Sequence, residues 1–139
     1  MTIQPIELPI YDESLGWGFG CSRRGASHIR SETPCQDAYS IWSGCASGCP
    51  CLIVAVADGH GDRHHDLSQY GASLAVKASV DELFSFYVCF GLEGSPSALK
   101  RNFKADFPRR VGGRWRNAVL EDAKVRLESN ISDSPDENP

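Results

Sequence analysis

The sequence LIVAVA at residues 52–57 runs directly into DGHGD at residues 58–62, and this stretch decides the fold. The apolar run is rich in β-branched residues, which predicts a strand buried on both faces. The turn that follows holds the carboxylates of Asp58 and Asp62 beside glycines with a permissive backbone. Carboxylates at a strand end, next to an available carbonyl oxygen, are typical of Mg²⁺ or Mn²⁺ sites. An ordinary polar turn explains these five residues equally well on their own.

A second apolar stretch lies just before this strand. Residues 38–42 (AYSIW) follow Asp37, and residues 43–50 form a connection rich in Gly, Ser and Cys. Two apolar runs around a short connection predict an antiparallel hairpin. In that hairpin Asp37 begins one strand and Asp58 ends its neighbour, so both carboxylates are expected at the same edge of the sheet. The pairing favours the metal site over the plain turn.

Flanking segments predict further strands and two long helices. Residues 1–15 indicate an extended lead-in with a short edge strand, and residues 16–22 indicate a strand. Residues 23–34 are polar and predict a loop, either solvated or forming an anion pocket. Apolar spacing predicts one helix up to residue 88 and a second over about residues 113–128, with residues 97–108 mixed between them. The acidic stretch at residues 129–139 is expected to be a disordered tail.

Composition restricts the classes of function. The chain has 139 residues and a net charge of −4, which suits one domain and does not suggest a nucleic-acid partner. The arginines at positions 109, 110, 114 and 116 are interpreted as a solvated helix face. No stretch resembles a membrane span or a signal peptide, so a cytoplasmic location is expected. Of the six cysteines, Cys21 and Cys89 are expected to be buried.

Several spaced motifs together resemble one family. They are Gly25 with His28, Gln36-Asp37, the strand end Asp58-Gly59-His60-Gly61, Ser68 with Gly71-Ala72, and Phe107-Pro108-Arg109-Arg110 followed by Trp115-Arg116. The series resembles the N-terminal half of a PPM-type (PP2C-like) serine/threonine protein phosphatase of the bacterial branch. The implied fold is an α/β four-layer sandwich, with two antiparallel sheets flanked by helices. Residues 16–128 would supply its N-terminal half.

The resemblance also implies a chemistry and its ligands. In the family two divalent metals, Mg²⁺ or Mn²⁺, activate the hydroxide that hydrolyses phosphoserine and phosphothreonine proteins. Asp58 would bridge both metals, Gly59 would give its carbonyl, and Asp37 would hold a metal directly or through water. The residues expected to support these ligands from outside the coordination sphere are Gln36, His60 and Asp62.

The resemblance does not assign the phosphate-binding residue directly, because Glu32 stands at the position where family members often carry arginine. Arg30 and His28 are the expected substitutes. The family's later metal aspartates would follow the last helix, and this sequence shows no such motif there. A catalytically inactive module, or a split one that a second chain completes, is therefore an alternative.

A zinc-binding module is a third interpretation, based on Cys45, Cys49 and Cys51 with His60 and His64. It is disfavoured because the cysteines and histidines would lie at opposite ends of a strand, roughly 20 Å apart.

Overall fold

The computed structural model describes residues 10–12, 16–46, 48–60, 67–90 and 95–132. The elements in chain order are β1 (Ile10–Asp12), β2 (Gly16–Gly18), α1 (Ala26–Arg30), β3 (Ala38–Ala46), β4 (Cys49–Ala57), α2 (Ser68–Phe90) and α3 (Pro96–Ser132). Predictions for Asp62, for His64 and for the end of the tail lie outside the described residues.

The predicted hairpin is present as the antiparallel pair of β3 and β4. Its register runs from Ala38 opposite Ala57 to Ala46 opposite Cys49. Most of the expected connection at residues 43–50 therefore belongs to the strands. Gly48 sits in the tight turn with a φ of 79°, a left-handed conformation that glycine adopts without steric cost.

Helix α2 covers one face of this hairpin. Ile53 and Ala55 of β4 pack with Val76 and Val80 of α2 to form the core, and partly buried residues of both strands surround them. The Trp42 ring meets the Phe84 ring edge-on, with centroids 5.0 Å apart. The apolar spacing that predicted this helix thus marks the face that contacts the sheet, as amphipathic spacing does.

The opposite face of β4 is open. Val54 and Val56 are 56% and 80% exposed, so the prediction of a strand buried on both faces is wrong for the described part of the chain. Side chains alternate along a strand, and α2 reaches only one of the two sets. On the face of the hairpin away from α2, a residue that follows β2 contacts β3: the Tyr39 hydroxyl donates to the Gly20 carbonyl oxygen at 2.8 Å.

Two further sequence predictions change near the N-terminus. The expected edge strand exists as β1, which pairs antiparallel with β2, but β2 ends at Gly18. Residues 26–30, predicted as loop, form the short helix α1, because the Ile29 amide donates to the Gly25 carbonyl oxygen at 3.0 Å. The described chain thus holds two two-stranded sheets with helices, a mixed α/β arrangement in which no four-layer sandwich is formed by the residues placed here.

Helix α3 is continuous from Pro96 to Ser132, so the prediction of a second helix beginning near residue 113 is wrong, and residues 129–132 belong to this helix. Pro108 lies inside it, where proline costs about 3 kcal/mol by removing a backbone bond. Packing supports the helix beside that proline. Phe103 stacks on Phe107 with centroids 4.3 Å apart and meets Phe86 of α2 edge-on at 5.4 Å.

A buried carboxylate fixes α3 against α2. Glu82 has a side chain only 7% exposed and accepts hydrogen bonds from Arg110 Nε at 2.8 Å and Arg114 Nε at 2.7 Å. Burial by itself would raise the pKa of Glu82, but the bonds and charges of the two arginines together hold that pKa below its ordinary value. Arg110 and Arg114, with side chains 37% and 45% exposed, are therefore solvated only in part, whereas Arg109 is exposed beside Asp106.

The other end of α3 reaches the start of α2. Trp115 Nε1 donates to the Gly71 carbonyl oxygen at 2.9 Å, and the Arg126 guanidinium lies 3.6 Å from the centre of the Tyr70 ring. Asp122 accepts two hydrogen bonds from Arg126, and these lower the pKa of Asp122. The two helices are thus joined along their shared length by charged, aromatic and backbone contacts.

Two smaller findings complete the fold. Cys21 and Cys89 are exposed, so their predicted burial is wrong. Each lies beyond the reach of the core, one past the end of β2 and the other in the last turn of α2. None of the helices described is both long enough and apolar enough to cross a bilayer.

Candidate active site

The open end of the β3–β4 hairpin brings two carboxylates together. Asp37 precedes the first residue of β3 and Asp58 follows the last residue of β4, and Ala38 and Ala57 beside them are register partners. Asp37 Oδ1 accepts a hydrogen bond from the Gly59 amide at 3.3 Å. The strand pairing thus creates the shared edge that the sequence predicted for these residues.

Gly59 lets the turn lie against the main chain of Gln36. A Cβ atom added at Gly59 would overlap the Gln36 carbonyl oxygen and lie 2.7 Å from the Gln36 carbonyl carbon. Glycine is required here by space, since any side chain would push the turn away from the strand. Gln36 itself is 2% exposed. Gln36, the predicted supporting residue, is therefore buried and lies directly against the turn.

The turn is also attached to the start of α2. The main-chain amide of His60 donates to Ser68 Oγ at 2.6 Å, and Ser68 is the first residue of α2. The sequence had assigned His60 a supporting role, and the contact described here uses its backbone.

A third attachment holds the main chain of Asp37, and sequence reasoning missed it. Ser22 Oγ lies 3.1 Å from Cys35 Sγ and donates to the Asp37 carbonyl oxygen at 3.4 Å. Cys35 Sγ donates to the same oxygen at 3.9 Å. The alternation of large and small residues over 16–22 predicts that Ser22 belongs to a strand, and no spacing in the sequence connects it with Asp37. Only the fold of residues 22–37 reveals this contact.

The candidate phosphate-binding residues lie on α1. Arg30 is exposed and His28 is half-buried, and no hydrogen bond joins either of them to Asp37 or Asp58 in the part of the chain that is described. Glu32 follows with a φ of 57°, an uncommon left-handed conformation for a residue other than glycine. The assignment of Arg30 and His28 stays a prediction.

The donor atoms at the hairpin end are all oxygens. They are the carboxylates of Asp37 and Asp58 and the carbonyl of Gly59, a set that suits a hard cation. Within the ranges described, no three His, Cys, Asp or Glu side chains gather as a metal-binding group. Mg²⁺ commonly takes one or two carboxylates and fills its remaining positions with water. The residues therefore fit one hydrated Mg²⁺ or Mn²⁺, and a second ion would need ligands beyond these three.

The same finding bears on zinc, since the described cysteines and histidines form no such group and the six cysteines carry free thiols. Burial raises the pKa of the Cys51 thiol. A raised pKa favours the neutral thiol, whereas a metal binds the thiolate. Cys51 therefore has the character of a packing residue, and it lies against the core of β4 and α2.

Comparison with known proteins identifies the family. A family profile described as protein phosphatase 2C matches residues 24–135, most of the chain. The chain belongs to the protein phosphatase 2C family. Neither the curated proteins nor the solved structures that were compared give a match. The match confirms the family resemblance drawn from the motifs, and it includes Asp37, Asp58 and Gly59.

Proposed function

We propose that this protein phosphatase 2C chain is the N-terminal part of a metal-dependent phosphatase domain that acts on phosphoserine and phosphothreonine proteins. The observation that carries the proposal is the hairpin end, where Asp37 and Asp58 flank the register partners Ala38 and Ala57 and the Gly59 amide donates to Asp37. Family membership supports phosphate-ester chemistry, and the all-oxygen donor set supports a hard divalent cation.

Each residue at the hairpin end would have a separate task. Asp58 and Asp37 would hold Mg²⁺ or Mn²⁺ through their carboxylates, with the Gly59 carbonyl as a further ligand. When bound, such ions supply an activated water and stabilise the charge that develops on a phosphate oxygen. Gln36 would keep the turn in place beneath them, because it fills the space on which Gly59 rests.

Recognition of the phosphate is proposed for α1. Arg30 is exposed and offers the forked donors that match phosphate oxygens, and His28 is its neighbour on the same short helix. Glu32 carries a negative charge that would oppose a phosphate at its own position. A substrate phosphate would thus meet α1 through Arg30.

The test is hydrolysis of a small aryl phosphate with and without Mn²⁺. We expect Mn²⁺-dependent turnover by the unmodified chain and a loss of at least about 100-fold in Asp58→Asn, since removing a ligand exceeds the 10- to 100-fold effect of outer partners. Asp106→Asn is the matched control, because Asp106 is a partly exposed acid on α3 whose ion pair, among the described residues, is with Arg109 three positions away. Turnover that persists in a chelator, or in Asp58→Asn, would contradict the proposal.

Substrate class requires a second comparison. We expect phosphoserine and phosphothreonine peptides to be hydrolysed in preference to a phosphotyrosine peptide of the same sequence. Arg30→Gln should raise the KM of the peptide more than it lowers kcat, because the lost contact is to the bound phosphate. Equal rates on all three peptides would reject the serine/threonine assignment.

A non-catalytic module is the competing proposal, and two observations favour it. The described site offers two carboxylates where a pair of metals needs more, and Val56 is left open on the second face of the sheet. In this case a second chain would complete the sheets. Stoichiometric Mn²⁺ binding without any turnover would support this alternative over catalysis.

A further inference from the structure

Two residues of the β2–β3 connection, Ser22 and Cys35, contact the main chain of Asp37. Ser22 Oγ donates to the Asp37 carbonyl oxygen at 3.4 Å and lies 3.1 Å from Cys35 Sγ, which approaches the same oxygen at 3.9 Å. At its other end, Asp37 accepts the Gly59 amide through Oδ1. Asp37 is therefore fixed both through its backbone and through its carboxylate.

These contacts close a loop whose last residue before Asp37, Gln36, is buried against the Gly59 turn. Residues 22–37 contain α1, whose five residues include no buried side chain. Arg24 Nη1 donates to the Thr33 carbonyl oxygen at 3.4 Å and spans only the inner part of the loop. The contact of Ser22 with Asp37 and Cys35 thus joins the two ends of the loop where β3 begins.

We infer that Ser22 is a positioning residue that sets the orientation of the Asp37 carboxylate through the Asp37 main chain. Asp37 lies just outside the β3–β4 register, which starts at Ala38, so pairing with β4 does not hold its carbonyl. When Ser22 holds that carbonyl, rotation of Asp37 is limited, and Asp37 Oδ1 stays within reach of the Gly59 amide. The consequence for metal binding rests on the proposed function, whereas the orientation itself does not.

A metal-free measurement tests the orientation directly. Hydrogen exchange of the Gly59 amide, followed by NMR without divalent cations, reports how often its bond to Asp37 opens. We expect Ser22→Ala to speed this exchange about fivefold, the factor that corresponds to one net hydrogen bond. Ser22→Thr keeps the hydroxyl and should remain close to the unmodified chain. The Ile53 amide, in the middle of β4, should be unaffected in both.

Ser73→Ala is the matched control for this experiment. Ser73 also donates its hydroxyl to a main-chain oxygen, that of Gln69 at 2.9 Å, but this bond lies within α2 and involves neither Asp37 nor Gly59. It should leave the Gly59 exchange rate unchanged. Equal Gly59 rates in Ser22→Ala and the unmodified chain would overturn the inference. Equal acceleration at Gly59 and Ile53 would also overturn it, because that result indicates general loosening.

Mn²⁺ affinity, measured by titration calorimetry, tests the consequence. Ser22→Ala should weaken Mn²⁺ binding about five- to tenfold, toward the lower end of the range for residues that orient ligands, since it acts through the backbone. Cys35→Ser supplies a hydroxyl at the second contact and should retain most of the affinity. If the unmodified chain binds no Mn²⁺, the proposed function fails, and the Gly59 exchange rates alone decide the role of Ser22.

Discussion

Replacing Gly59 with alanine tests the close contact at the heart of the site. The added Cβ would overlap the Gln36 carbonyl oxygen and lie 2.7 Å from the carbonyl carbon and 2.8 Å from Gln36 Cβ. These are mostly main-chain atoms of a residue that is 2% exposed, so they cannot rotate away as a flexible side chain would. The turn must therefore move off the strand.

The cost of that movement follows from the contacts. Overpacking of this kind costs about 1–3 kcal/mol, and the bond from the Gly59 amide to Asp37 contributes about 1 kcal/mol more when it breaks. Alanine restricts the unfolded chain and returns about 0.5 kcal/mol. We expect Gly59→Ala to lower the free energy of unfolding by about 2–3 kcal/mol and to weaken Mn²⁺ binding.

Urea unfolding followed by tryptophan fluorescence measures the stability, and calorimetry measures the affinity for Mn²⁺. Gly112→Ala is the matched control, since a Cβ there meets no atom within 4 Å and the position lies inside α3. Alanine should stabilise that helix by about 0.5–1 kcal/mol. If Gly59→Ala unfolds within about 0.5 kcal/mol of the unmodified chain, the steric reasoning at the turn is refuted.

Three further changes test the rest of the structure. Glu82→Gln should lower the free energy of unfolding by about 2–3 kcal/mol at pH 7, because it removes the charge that two partly exposed arginines share. The folded pKa of Glu82 lies below its ordinary value. The difference in the free energy of unfolding should therefore be complete at neutral pH and disappear as the pH falls through the folded pKa. A difference that grows in acid would contradict the ion pair. Trp115→Phe should cost about 1 kcal/mol in urea unfolding by removing the bond to Gly71, and no loss would show that bond to be dispensable. Glu32→Val should be about 1 kcal/mol less stable than Glu32→Asn, since asparagine tolerates the positive φ that a β-branched residue resists; equal thermal unfolding of the two would reject the left-handed backbone.

The sequence was most informative where the pattern is local. Two apolar runs around a short connection predicted the hairpin, and with it the shared edge of Asp37 and Asp58, because register alone places the two residues at one edge. Apolar spacing also predicted the face of α2 that contacts the sheet. The motif series also led to the family that the profile comparison confirms.

Predictions failed where distant contacts decide the outcome. The mixed pattern of residues 97–108 suggested that the second helix begins near residue 113. Packing of Phe103 and pairing of Arg110 and Arg114 with Glu82 instead hold one continuous helix. Burial of Val56 was expected from its apolar neighbours, but burial depends on what covers a face, and α2 covers the other one. The contact between Ser22 and Asp37 could not be foreseen, since it joins residues 15 positions apart through a loop without a recognisable spacing.

The position of the two aspartates relative to the hairpin turn has a consequence for the order in which the site assembles. Because the turn at Gly48 makes Ala46 and Cys49 neighbours in sequence, pairing of the two strands is expected to start there and to extend toward Ala38 and Ala57. Asp37 and Asp58 lie beyond the last pair to close, so the site is the end that frays first. A cation held there would add a further contact at this end of the hairpin, and the protection it confers against amide exchange should be greatest at Ala57 and decrease toward Gly48.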